Sequence, residues 1–180
     1  MRYCLTTSLT LRQVARFDYS TRVASGLPRR WALWTATGFG VGYVPAVPGT
    51  AGTLLAVPFS YGLNLLSAVS VLWAATILAG AILCAVGCAA SAAATLRQND
   101  PSVIVIDEIV GFMTANFAAP PSFTGLLLTI ALFRLFDIAK VFPAARLERL
   151  QGGAGIVIDD IMAGVYTAAI MRLLYAWGVV

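Results

Sequence analysis

The sequence predicts an all-α protein: a polytopic membrane helical bundle of four to five hydrophobic helices, with a Gly/Pro-rich broken or re-entrant segment near the N-terminus. Three observations lead there. Apolar residues make up 59% of the 180 and charged residues only 11%, whereas an ordinary soluble domain carries about 25% charge. A soluble chain with so few charges would expose large apolar patches and aggregate. Residues 68–96 form one uncharged, Ala-rich run long enough to span a bilayer. Further apolar runs follow it, separated by short polar or proline-containing breaks.

The elements follow in order. Residues 1–30 hold six arginines (Arg2, Arg12, Arg16, Arg22, Arg29, Arg30) against one acid, Asp18. This basic arm is expected to be disordered and to keep the N-terminus in the cytoplasm. It lacks the apolar core of a secretory signal. The membrane-embedded domain is expected over residues 31–180. Its first part, TGFGVGYVPAVPGTAGTLLAVP (37–58), is too rich in Gly and Pro for one straight helix. A broken segment is expected there, leading into a short helix over about 53–66. Irregular backbone at membrane depth is tolerated only where protein buries it or it lines a cavity.

Residues 68–96 give the clearest spanning helix, with small residues (Gly80, Ala81, Ala85, Gly87, Ala89) that permit close packing. Arg97–Pro101 is a polar break. A second run covers 103–119 and ends at Pro120-Pro121. A third covers 123–141, a polar loop covers 143–155, and a last helix covers 156–177. If Pro120-Pro121 is a hairpin tip, the polar residues of both adjoining helices lie about 15–20 Å from it, on the opposite side. Asp159, Asp160 and Arg97 fall on that same side. Every cluster of polar residues therefore converges on one face, which the positive-inside rule makes cytoplasmic.

The chemistry is constrained by what is missing. The chain has no histidine, which excludes Ser-His-Asp and Cys-His nucleophiles and histidine-ligated zinc. Cys4, Cys84 and Cys88 show neither a disulfide nor a zinc pattern, and the latter two read as small packing residues. No Walker A string is present. No nucleic-acid partner is expected. Catalysis must therefore rest on carboxylates, Lys, Arg, hydroxyls, backbone groups or a metal.

Five of the eight acids sit at the edges of apolar helices: Asp107, Glu108, Asp137, Asp159 and Asp160. Ionisable groups in such segments are functional candidates by default. Asp107-Glu108 and Asp159-Asp160 are adjacent like charges, which repel unless a cation compensates. Hard oxygen ligands without His or thiolate suit Mg²⁺, with Asp107, Glu108, Asp159 and Asp160 as the candidate metal ligands. Arg134, Asp137 and Lys140 are spaced i, i+3, i+6, along one helix face. Arg134 and Lys140 beside a metal suit phosphate oxygens. The glycine-rich stretch, with Gly49, Thr50, Gly52 and Thr53, offers further donors to an anion. The catalytic candidates are the five acids, and the phosphate-binding candidates are these four residues with Arg134 and Lys140.

Three blocks resemble the bacterial phosphatidylglycerophosphatase A family: TGFGVGYVPAVPGTAGTLLAVP (37–58), NDPSVIVIDEIVGF (99–112) and FRLFDIAKVFPAARLERLQGGAGIVIDDIMAGV (133–165). The resemblance implies a Mg²⁺-dependent lipid phosphatase of the bacterial inner membrane. Such an enzyme removes the terminal phosphate of phosphatidylglycerophosphate to leave phosphatidylglycerol. Two departures stand out. Val141 occupies a position where the family has proline, and the arginine arm matches nothing in the family pattern. The main rival reading is a small membrane cation transporter or channel whose pathway the same acids would line. A CDP-alcohol phosphotransferase would need a spaced D-G…A-R…G…D…D string, which is absent.

Overall fold

The computed structural model describes residues 29–139 and 152–180. Among the described residues there are six α-helices, one 3₁₀ turn and no strand: α1 (Arg29–Ala36), the 3₁₀ turn (Val41–Tyr43), α2 (Pro48–Val69), α3 (Val71–Leu96), α4 (Ile106–Ala115), α5 (Phe123–Ala139) and α6 (Gly153–Ala176). The all-α expectation holds. Three helices, α2, α3 and α6, are long and apolar enough to cross a membrane. At 10 residues, α4 extends only about 15 Å and cannot do so. The 17 residues of α5 end where the described residues end.

The element boundaries differ from the expected ones for local reasons. The Gly/Pro-rich segment is shorter than expected, because α2 already begins at Pro48, whose missing N–H costs nothing in a first helical turn. Helix α2 then runs through Pro58 and on to Val69, past the expected 53–66 at both ends. The expected long helix over 68–96 starts only at Val71. Ser70 is extended there, and its hydroxyl accepts the Trp73 N–H, a standard N-cap. At its other end Arg97 adopts a left-handed conformation (φ 56°), and the Gln98 N–H returns to the Ala93 carbonyl. The last helix begins at Gly153, three residues earlier than expected. Of the loop expected over 143–155 and the arm expected over 1–30, residues 143–151 and 1–28 lie outside the described residues, as does Lys140, while Arg29 and Arg30 belong to α1 and residues 153–155 to α6.

Small residues set the packing. One core cluster joins Ala36 of α1 to Ala85, Cys88, Ala89 and Ala92 of α3, Val110 of α4 and Val157 of α6. With so little side chain on α3, backbones come close: a Cβ at Gly153 would strike the Val86 carbonyl. A second cluster holds Ala56 of α2, Phe112 of α4, Phe133 of α5 and Ala163 of α6. In it the Phe112 and Phe133 rings meet edge to face at 5.9 Å. That contact fixes the rotation of α5, and so the direction of its next residue, Arg134. Farther along α4 and α2, the buried Asn116 amide donates to the Ser60 hydroxyl at 2.8 Å.

Candidate active site

Four helices meet at one acidic centre. Asp107 and Glu108 occupy the first turn of α4, where carboxylates complement the positive end of the helix. Asp160 reaches them from α6. One carboxylate oxygen from each of Asp107, Glu108 and Asp160 lies within 4.8 Å of the others. Asp107 Oδ1, Glu108 Oε2 and Asp160 Oδ2 are buried without a hydrogen-bond partner, and Asp160 as a whole is 4% exposed. Buried, mutually repelling carboxylates with unused lone pairs are costly unless a cation satisfies them. The donor set is all oxygen, as a hard divalent cation requires.

Asp160 is the eighth residue of α6, about 10 Å along from the helix start. The expectation that the Asp159-Asp160 pair marks a helix end is therefore corrected. Two glycines place Asp160 there. A Cβ at Gly111 would stand 2.8 Å from the Asp160 carbonyl oxygen and 2.9 Å from its Cβ. A Cβ at Gly164 would strike the Gly111 carbonyl and stand 3.1 Å from Thr114 Cβ. Asp107 precedes Gly111 by four residues, and Asp160 precedes Gly164 by four. Each acid thus shares a helix face with the glycine of the crossing. Sequence reasoning missed both glycines, although the matching Asp-x-x-x-Gly spacing in DEIVG and DIMAG was a readable signal.

Helix α5 adds the cation. Arg134 Nη1 donates to Asp137 Oδ2 at 2.6 Å and lies 4.0 Å from Glu108 Oε1. Asp137 in turn lies against Asp160. Asp159 falls outside the three-carboxylate group and is half-buried beside it.

Helix α2 closes the site with its N-terminus. Val47 provides no side-chain cap, and first-turn N–H groups have no partner within a helix. A Cβ at Gly49 would meet Glu108 Oε1 and stand 2.8 Å from Arg134 Nη1. Only glycine lets the helix start this near both side chains. Gly52 packs on Val105 and toward Glu108 in the same way, at 2.9 Å and 3.5 Å from an added Cβ. Thr50 is half-buried in the same turn. Thr53 is buried, and its hydroxyl donates to the Gly49 carbonyl. The structure thus brings together Asp107, Glu108, Asp137, Asp160, Arg134 and Gly49, with Gly52 and Thr53 one turn behind.

The arrangement combines a hard-cation ligand set, a guanidinium and an uncapped helix N-terminus. Comparison with known proteins agrees with it. The profile described as Phosphatidylglycerophosphatase A matches residues 34–175. The phosphatidylglycerophosphatase A of Escherichia coli K12 is 36% identical over 80% of this chain and 83% of its own length. That of Haemophilus influenzae is 36% identical over 79% and 87%. A Bacteroides thetaiotaomicron protein named putative phosphatidylinositol-3-phosphatase is 38% identical over 73% and 85%. No solved structure matches. On the extent of these matches, the chain belongs to the phosphatidylglycerophosphatase A family.

Proposed function

We propose that this chain is a Mg²⁺-dependent lipid phosphatase in a bacterial inner membrane, with its site facing the cytoplasm. It would hydrolyse phosphatidylglycerophosphate to phosphatidylglycerol and inorganic phosphate, a step of phospholipid synthesis. The observation that carries the reading is the trio Asp107, Glu108 and Asp160, each with one buried oxygen that has no hydrogen-bond partner. These three residues would hold the Mg²⁺. When bound, the ion supplies positive charge that polarises the phosphoryl group and acidifies water.

The chain's own groups do the rest. A guanidinium carries five N–H donors, so pairing with Asp137 through Nη1 leaves Arg134 others for phosphoryl oxygens. There it offsets charge that builds in the transition state. Asp137 holds that guanidinium in place. The N–H groups of Gly49 and Thr50 face an anion at the positive end of α2, and the Thr53 hydroxyl braces that turn. Lys140 remains the proposed second cation, and Asp159 a proposed contributor to the metal site. Water attacks phosphorus and gives up a proton to a cluster carboxylate. The phosphorus–oxygen ester bond breaks, and the lipid alcohol leaves with a proton.

The transporter reading is not favoured, because the relatives are named as phosphatases. The name of the Bacteroides relative does make phosphatidylinositol 3-phosphate the substrate to compare. The test is phosphate release by the purified chain in detergent from phosphatidylglycerophosphate, phosphatidic acid and phosphatidylinositol 3-phosphate, with Mg²⁺ or with EDTA. Release from the first lipid, lost with EDTA, is expected. Release from none of them under any metal condition overturns the reading.

A further inference from the structure

One surface beside the site is left over by the catalytic reading. Helix α1 docks on α3 through Ala32 and Ala36, both 0% exposed. Its other side presents Arg30 and Trp34 outward with Trp31 at its flank, and Arg29 is exposed in the first turn. The turn that follows exposes Phe39 (66%) and Tyr43 (58%). Phe39 is held at φ 56°, a left-handed conformation that is unfavourable for a bulky side chain. This ring is kept outward at a conformational cost, in a turn with no other use for it.

Between Arg29-Arg30 and the glycine turn that starts at Gly38, the chain around Trp31 and Trp34 has too few apolar residues to span, so these rings are not the lipid-facing side of a spanning helix. The segment carries two arginines and no acid, and none occurs between Asp18 and Asp100. Exposed Trp and Tyr beside Arg is the composition that settles at the headgroup level of an anionic leaflet. A matching belt lies at the other end. Trp73 opens α3 and Trp177 closes α6, 66% and 75% exposed. The start of α6 packs on Val86 and Ala90 of α3, so Trp177 lies at the Trp73 end. Gly38 of the turn packs on Val105 and Ile109 at the start of α4, the helix on which Asp160 of α6 also packs. From Asp160 to Trp177 the chain rises about 26 Å, close to the thickness of a hydrocarbon core.

The patch is tied to the site at both ends. The Val105 N–H donates to the Ala36 carbonyl at 2.9 Å, one residue before α4 begins. The chain then leaves the turn and enters α2, whose Gly49 meets Glu108 and Arg134.

We propose that Arg29, Arg30, Trp31, Trp34, Phe39 and Tyr43 form an interfacial anchor that sits among the headgroups of an anionic leaflet and holds the acidic centre at the depth of lipid phosphates. This rests on the lipid-phosphatase reading and adds to it. The substrate's phosphate then reaches Arg134 without its acyl chains leaving the membrane.

Two measurements test it. The first uses the full chain with Trp31→Phe, Trp73→Phe and Trp177→Phe, so that Trp34 alone reports, reconstituted in phosphatidylcholine–phosphatidylserine vesicles. Lipids brominated near the glycerol should quench Trp34 more than lipids brominated at the chain ends. Quenching by aqueous iodide, with no effect of brominated lipid, overturns the anchor whatever the activity. The second compares wild type with Trp31→Ala/Trp34→Ala. KM for long-chain phosphatidylglycerophosphate in those vesicles should rise at least about threefold as buried apolar contact is lost. Activity on the dihexanoyl analogue in solution should be unchanged. Equal loss on both substrates, or on neither, removes the anchor. A wild type inactive on both instead removes the phosphatase reading, and the quenching result stands apart from it.

Discussion

Gly111 of α4 and Asp160 of α6 touch backbone to side-chain base: an added Cβ at the glycine would stand 2.8 Å from the Asp160 carbonyl oxygen and 2.9 Å from its Cβ. Neither contact is the free end of a flexible side chain, so neither can yield cheaply. Gly111→Ala should push α4 and α6 apart and cost about 1–3 kcal/mol as an overpacked core does. It should also separate Asp107 from Asp160. The check is thermal unfolding in detergent alongside phosphatase activity, and both should fall.

Asp160→Asn tests the metal centre with little change in shape. The variant keeps the side-chain volume and removes a negative charge from a trio of oxygens within 4.8 Å. A ligand that binds only the folded state raises its melting temperature by mass action. Mg²⁺ should therefore raise the Tm of the wild type and not that of Asp160→Asn, whose activity should be abolished. Near-normal activity in the variant would take Asp160 out of the centre.

Arg134→Lys separates a planar fork from a point charge. Arg134 reaches Asp137 at 2.6 Å and stands near Glu108, and lysine cannot span both acids and a phosphate with three donors on one nitrogen. Loss of a preorganised transition-state donor lowers kcat by about 10²–10³-fold. Steady-state kinetics should show that loss for Arg134→Ala and a smaller one for Arg134→Lys. An unchanged kcat/KM in Arg134→Ala would remove it from the phosphate pocket.

Asn116→Ala serves as the contrast. Its amide donates to buried Ser60 at 2.8 Å, at the C-terminal end of α4, about 13 Å along the helix from Asp107. Hydrogen bonds between membrane helices average about 0.6 kcal/mol. A small drop in Tm with near-normal kcat is expected. A large loss of kcat would mean that α4 transmits the clamp to the acids at its other end.

Much of this site was legible before any coordinates. A chain with 11% charged residues and no histidine leaves few residues able to do chemistry, so carboxylates and Arg134 stand out by scarcity. The convergence of Asp107, Glu108, Arg134, Asp137 and Asp160 followed from helix lengths and turn positions alone. Helix starts were less legible. Pro48 and Ser70 act through capping geometry within a few residues, which competes with the longer apolar pattern around them.

By itself the sequence determined the all-helical class, the family and the inventory of groups facing one another. Only tertiary structure decided which acids share a centre. Neighbouring residues on a helix point about 100° apart, so Asp159 and Asp160 cannot both face α4 in the same way. The choice falls to Asp160 because Gly164, four residues on, lies against Gly111. Helical spacing sets which residues share a face, but the rotation of one helix against another is set by where two backbones can meet, and here that place is a pair of missing side chains.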